Sequence, residues 1–421
     1  MPIPKEYSTY LDWIDTQQHM MEELLIKLAD QNSGSDNLEG LSHVHQILLD
    51  ATADLRGERS TLELPLTPEL HTNGETTLKK NANALLIRRY PKAPLRILLG
   101  GHMDTVFPKS SPFQKCRLAA PDKIIGPGTA DMKGGLIVMI YALKALERSP
   151  LAGKIGWDIL ITPDEETGSV ASQSLWRQYA WQNHFGLIFE PAMPGGTIVT
   201  ERKGSINYIA SARGQKAHAG RDFNKGKNAV VALAEWITAI YPLNTETTTL
   251  NVGVLMGGEA ANVVPDYAQS YINVRSPSLT SMKKAEKGML EAAQKIKEKY
   301  DIAIELQIRS RRPPKPFDQA TANLLQRLQE CASTLQIPLE TAKTGGVCDG
   351  NNLAAEGLPT LDTLGVIGGG LHTDEEWAWL PSLSQRAKLS AALLLSLASD
   401  APSIEFIAEK HIQKHPGTDN D

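Results

Sequence analysis

The stretch Arg96-Ile-Leu-Leu-Gly-Gly-His-Met-Asp104 decides how this chain reads. A short apolar run, Arg96 to Leu99, reads as a strand that ends at Gly100-Gly101 and delivers His102 at its tip. Residues i and i+2 of a strand share a face. Asp104 is therefore placed to accept a hydrogen bond from the second ring nitrogen of His102 and to fix its tautomer. Downstream the same grammar recurs. Residues 155–161 form a second apolar run that ends at Thr162-Pro-Asp-Glu165-Glu166, and Phe185 to Phe189 forms a third that ends at Glu190. Between the first two, Gly135 to Arg148 has the spacing of a helix of about four turns, with Leu136, Ile140 and Leu143 on one face. Continuous apolar strands alternating with helices indicate an α/β fold with a central sheet covered on both faces. Ligands of such sheets gather outside the strand ends, where the acidic and histidine residues fall.

Upstream, Tyr10 to Leu28 and Leu41 to Leu55 carry helical spacing, with a polar turn from Gln31 to Gly40 between them. The texture changes near Gly204. Ser205 to Ala212, Thr247 to Leu255, Ala268 to Arg275 and Ile302 to Ile308 read as strands. Asn228 to Ile240 and the Lys/Glu/Ala-rich Ser281 to Tyr300 read as helices. This is a two-layer α+β unit, and Arg311-Arg-Pro-Pro-Lys-Pro316 reads as a stiff connector back. The expected organisation is a discontinuous catalytic domain, 1–203 and 317–421, interrupted by a unit over 204–316. The polar tail from Lys410 to Asp421 is expected to be disordered.

The 421 residues exceed one ordinary core. A net charge of −5, with 41% apolar and 22% charged residues, gives no electrostatic footprint for nucleic acid or an anionic membrane. No apolar run is long enough to span a bilayer, and Met1 to Thr16 lacks the pattern of a signal peptide. Cys116, Cys331 and Cys348 are too few and scattered for a disulfide framework. A cytoplasmic location is the expectation.

Singly, each polar segment has an ordinary reading. His102 could lie at a surface cap, Asp131 in Gly126-Pro-Gly-Thr-Ala-Asp131-Met-Lys-Gly-Gly135 could be an N-cap, and Asp164-Glu165-Glu166 could be a solvated turn. His372 lies in a glycine-rich stretch, Gly368-Gly-Gly-Leu-His372-Thr-Asp-Glu-Glu376. Together they offer histidine and carboxylate donors from separate strand ends, which zinc accepts. A two-metal centre needs one shared carboxylate and another left free to move protons.

The ordered motifs HMD, GTADMKGG, DEETGS, FEP and GGGLHT resemble peptidase family M20, which includes aminoacylases, deacetylases, desuccinylases and glutamate carboxypeptidases. The resemblance covers nearly the whole chain. It implies a zinc-peptidase-type catalytic domain with a mixed central sheet flanked by helices, and an inserted dimerisation or lid domain. It implies two zinc ions per chain, with cobalt or manganese as possible substitutes. His102 and Glu190 would hold one, Glu166 and His372 the other, and Asp131 would bridge them. Asp104 would orient His102, and Glu165 would deprotonate the attacking water and protonate the leaving nitrogen. A cis peptide is expected at Asp131-Met132. His218, in Arg213-Gly-Gln-Lys-Ala-His218-Ala-Gly220, would reach the partner subunit's site of a homodimer and bind the oxyanion. Asn262 and Arg275 would bind a substrate carboxylate, with Lys203, Gly345 and Gly346 lining the same pocket.

The chain departs from the family pattern at Cys348, where Ser or Thr is usual, and at Asn273, where many relatives carry Asp. Cys348 reads as a small buried residue. His19, His43, His45, His71, His184, His411 and His415 match no motif. The expected activity is hydrolysis of an amide or peptide bond in a small N-acyl amino acid or peptide with a free carboxylate, first of the glutamate carboxypeptidase kind. An aminoacylase or deacetylase is the alternative. A zinc-binding scaffold without catalysis is the remote one, disfavoured by the intact Glu165.

Overall fold

The computed structural model describes residues 7–400. The strands that matter for the site are β1 (Glu58–Leu62), β2 (Ala84–Arg89), β3 (Arg96–His102), β4 (Gly156–Thr162), β5 (Phe185–Ile188), β6 (Gly204–Arg213), β7 (Thr249–Gly257), β8 (Tyr267–Ser276), β9 (Ile304–Arg312) and β10 (Thr360–Leu361). The first sheet runs β1-β2-β4-β3-β5-β10. Its β4-β3-β5-β10 portion is parallel, and β1 and β2 join antiparallel. This is the expected mixed sheet.

Both faces of that sheet are buried, which is why its strands read as unbroken apolar runs. Leu85, Ile87, Ile97, Leu99, Ile159 and Leu187 pack with the helices Gly135–Arg148 and Ser382–Ser399. Leu86, Leu98, Leu160 and Ile188 pack on the other side with Trp176, Tyr179 and Leu353. The Gly100-Gly101 pair lets both layers close at the tip of β3. A Cβ at Gly100 would strike Trp176, and one at Gly101 would strike Met132.

The second sheet runs β7-β8-β6-β9, all antiparallel. Ile206, Tyr208, Ala210, Leu250, Ile272 and Val274 face the helices Ala229–Ile240 and Leu279–Tyr300 and form a separate core with Leu233, Trp236 and Met289. Ser205, Asn207, Tyr271, Asn273 and Arg275 take the opposite face, as alternation requires.

The structure corrects the sequence reading in two places. The stretch read as one helix over Tyr10–Leu28 is two, Ser8–Asp15 and Gln18–Ala29, because the Thr16 hydroxyl caps the Trp13 carbonyl at 2.7 Å and ends the first. The stretch Arg311-Arg312, read as connector, belongs to β9. A bulge explains it. Ile304, Leu306 and Ile308 pair with Ala212, Ala210 and Tyr208, but Ser310 and Arg312 pair with Asn207 and Ser205. The extra residue, Arg309, switches the even-numbered residues to the other face, so the apolar alternation stops before the strand does. The tail from Lys410 to Asp421, with His411 and His415, lies outside the described residues.

Two chain crossings join the sheets. Arg202 and Lys315 exchange backbone N–H···O bonds of 3.1 Å each. Their side chains converge on the buried carboxylate of Asp362. Arg202 donates Nε and Nη2 to Asp362 at 2.9 Å each, and Lys315 Nζ lies 3.1 Å from Oδ2. Removing this carboxylate strands two buried cations at the crossing. Asp362→Ala is expected to lower stability by about 3–5 kcal/mol. Urea denaturation of the purified variant checks this, and an unchanged midpoint would remove Asp362 as the anchor.

Candidate metal centre

The tips of β3, β4 and β5 and two glycine-rich loops converge on one place. His102 ends β3, and its Nδ1 faces Asp104, 3.0 Å from the backbone carbonyl and 3.3 Å from Oδ1. That leaves Nε2 pointing at Asp131 Oδ1, 3.2 Å away, and Glu190 Oε2, 3.9 Å away. The other carboxylate oxygen of Asp131 lies 3.4 Å from His372 Nε2, which also stands 3.4 Å from Glu166 Oε2. His102, Asp131 and Glu190 thus form one group, and Asp131, Glu166 and His372 a second, with Asp131 common to both. His102, Asp131 and Glu190 are buried, Glu166 is half-buried and His372 is exposed. The Asp131-Met132 peptide is cis.

This donor set fits zinc. Two tetrahedral ligands at about 2.0–2.1 Å from one ion stand about 3.3 Å apart. The His–carboxylate separations of 3.2, 3.4 and 3.4 Å match that edge, and the fourth is slightly longer at 3.9 Å. The groups also hold protons that a cation would displace. Burial and then the nearby Asp131 push the Glu166 carboxyl up to about 8, and burial pushes Glu190 up to about 7. Hydrogen bonds to Asp131 and Glu166 draw His372 up to about 10.

Asp104 does more than the sequence suggested. Its carboxylate also accepts the backbone N–H groups of Glu165 and Glu166 at 3.2 Å each and the Ser35 hydroxyl at 2.7 Å. One side chain therefore positions both the β3 histidine and the acidic turn after β4. Glu165 belongs to neither metal group. Its Oε1 lies 2.8 Å from Arg312 Nη2, which also donates to the Glu165 carbonyl at 2.8 Å.

Glu376 and Arg312 were missed by sequence reasoning. Glu376 is buried in the loop after His372, and its carboxylate accepts the backbone N–H groups of Gly128, Ala130 and Asp131 at 3.1, 2.9 and 2.9 Å. It holds the turn that presents Asp131. Only its place four residues after His372 hinted at this. Arg312 carried no signal, because the bulge hides the register.

A cavity of about 700 Å³ opens from the metal groups to the exposed face of the second sheet. It is lined by Glu165, Arg275, Gly346 and the buried Cys348, among others. Arg275 donates to the Gly345 carbonyl at 2.7 Å and to Asn273 Oδ1 at 3.0 Å. Lys203 lies against Gly345, and its ammonium donates to the Thr247 carbonyl at 2.6 Å. His218 and Asn262 do not line the cavity. They sit together on a separate small ribbon, joined by a 3.0 Å bond from the Ala219 amide to the Asn262 carbonyl.

The family model described as Peptidase family M20/M25/M40 matches residues 98–396. Carboxypeptidase G2 of Pseudomonas sp. (strain RS-16) is 27% identical over 315 residues, 72% of this chain and 74% of the relative. Succinyl-diaminopimelate desuccinylase of Granulibacter bethesdensis is 29% identical over 242 residues, 52% of this chain and 61% of the relative. A tripeptidase from Staphylococcus aureus superposes with a TM-score of 0.70 at 23% identity, covering 91% of this chain and 99% of that one. Among the described residues no helix is long and apolar enough to cross a membrane.

Because Glu166 and His372 are raised, protons compete with metal at neutral pH. Zinc binding is expected to release protons, and its apparent affinity should climb as pH rises from about 6 to 9. Calorimetry in buffers of different ionisation enthalpy measures both, and a pH-independent affinity would exclude this ligand set. Glu376→Ala frees the three amides behind Asp131. It should weaken zinc binding roughly 10- to 100-fold in chelator competition, and unchanged affinity would remove Glu376 from the site's support.

Proposed function

The chain belongs to Peptidase family M20/M25/M40, metallohydrolases that act on peptides or N-acyl amino acids, and we propose that it is a two-zinc hydrolase cleaving the amide bond of a small substrate with a free carboxylate. The observation that carries this reading is the shared Asp131, whose two oxygens face two different histidines beside a carboxylate, Glu165, that neither group uses.

Zinc ions at the two groups would supply Lewis-acid polarisation and a water of lowered pKa. The protein's own side chains do the rest. Asp104 holds the His102 ring so that Nε2 points inward. Glu165 takes the proton of the attacking water and returns it to the leaving nitrogen. Arg312 holds the Glu165 carboxylate in place until the substrate enters. Arg275 offers its guanidinium to the substrate's carboxylate beside Gly345 and Gly346, with Lys203 behind them. Residues 204–316 serve as the dimerisation lid of a cytoplasmic homodimer. His218 of that unit completes the oxyanion site of the partner subunit, in keeping with its place outside its own chain's cavity.

Glutamate carboxypeptidase-like hydrolysis is the first choice, supported by the coverage of carboxypeptidase G2. Hydrolysis of N-acyl amino acids in the aminoacylase or deacetylase manner is the alternative, supported by the similarity to a desuccinylase and to acetylornithine deacetylase of Proteus mirabilis.

A panel of acyl-glutamates, N-acetyl amino acids and dipeptides, assayed on zinc-loaded protein, decides between them. Glu165→Gln should reduce kcat roughly 10²- to 10⁴-fold with zinc content unchanged; equal turnover by variant and wild type would refute the base. Co-expressed His218→Ala and Glu165→Gln chains should form hybrid dimers with one intact site in each, recovering about a quarter of wild-type activity. Recovery no greater than the sum of the separate variants would place His218 outside the partner's site.

A further inference from the structure

The bulge in β9 does more than turn Arg312 toward Glu165. It inserts Arg309 between Ile308 and Ser310, so that Arg309 and Ser310, neighbours in sequence, both line the cavity. Several other polar groups on this wall already have partners. Asn273 donates to Asn207 Oδ1 at 2.7 Å, Asn207 donates to Ser310 Oγ at 2.8 Å, Arg275 is held by Gly345 and Arg312 by Glu165. Arg309 is exposed, and among the described residues no carboxylate pairs with it. At nearly the same level on the opposite edge, β7 bulges at Gly253, another cavity residue. A Cβ there would meet no atom nearer than 3.7 Å, an ordinary contact distance.

Strand register fixes where Arg309 stands relative to the chemistry. Arg275 pairs with Ser205, which pairs with Arg312 on the other side, so the two arginines are two strands apart, roughly 10 Å. Arg309 is three residues from Arg312 along β9, again roughly 10 Å. Glu165 is bonded at the corner, on Arg312. The two cations are therefore displaced from the base in different directions, Arg275 across the strands and Arg309 along β9.

We infer that Arg309 determines specificity for the acyl side of the substrate, recognising a carboxylate there while Arg275 takes the carboxylate of the leaving amino acid. The preferred substrates are then dianionic: an amino acid acylated by a dicarboxylic acid, or a peptide with an acidic residue before the cleaved bond. Arg309 has no part in the proton transfers. Its contribution is a charge-assisted hydrogen bond to a group several bonds from the reacting carbonyl.

This inference rests on the amide-hydrolase reading, and the test separates the two. The leaving amino acid selected by the substrate panel is presented with a succinyl group and with its neutral near-isostere, succinamoyl. Wild type should favour the succinyl compound roughly 10- to 100-fold in kcat/KM, with the difference carried by KM. Arg309→Gln should bring that ratio close to one, and Arg309→Glu should invert it. Each ratio is internal to one protein, so a loss of folded enzyme cancels. A wild-type ratio near one, or an unchanged ratio in Arg309→Gln, overturns the role of Arg309 and leaves the hydrolase reading standing. If no N-acyl amino acid or peptide is turned over, the hydrolase reading falls, and the role of Arg309 with it.

Discussion

The rest of the structure depends on how several carboxylates are kept together at the buried ends of three strands. Asp104, Asp131, Glu165 and Glu190 are all buried, and Glu166 is half-buried. Isolated charges in such a place are prohibitively costly unless each is paired or hydrogen-bonded. Here each has a specific partner. Backbone amides and a serine take Asp104, two imidazoles take Asp131, Glu166 and Glu190, and a guanidinium takes Glu165. Burial still pushes the Glu166 and Glu190 carboxyls above the usual carboxylate range, and the nearby Asp131 adds to it. A divalent ion in each group satisfies the same demand more fully, and structure and chemistry thus ask for the same thing.

The second sheet is tied into this arrangement at two levels. At the chain crossings, Asp362 binds Arg202 and Lys315 and fixes where the sheet begins and ends. At the site, Arg312 reaches from β9 to the acidic turn, where it also touches Ser169 at 2.6 Å and comes within 3.8 Å of the buried Asp349. Its neighbour Arg311 points the opposite way and pairs with Glu286 on the Leu279–Tyr300 helix at 3.1 Å. Adjacent arginines with opposite duties follow from the pleat of a strand, and the bulge sets which residue has which duty.

Much of this was legible in advance. The strand tips at His102, Glu166 and Glu190 could be read because a sheet buried on both faces needs unbroken apolar strands, and those runs end abruptly at polar residues. The second unit's alternation placed Tyr271, Asn273 and Arg275 on one face, where they line the cavity. Glu376 was not legible, since an acidic residue after a glycine loop looks solvated until the amides it binds are known. Arg312 looked like a linker residue, because the one-residue insertion at Arg309 breaks the period by which strands are recognised.

The sequence by itself determined the fold class, the family and the candidate metal-ligating side chains, because local apolar runs, glycine pairs and ordered motifs carry those without reference to distant contacts. Tertiary structure alone decided how the residues divide. It separated the two oxygens of Asp131 between two histidines, put Glu165 beside Arg312, and set Arg309 in the cavity wall while leaving His218 and Asn262 outside it. These outcomes depend on register and on charges brought together from distant parts of the chain, and neither is encoded in any one segment.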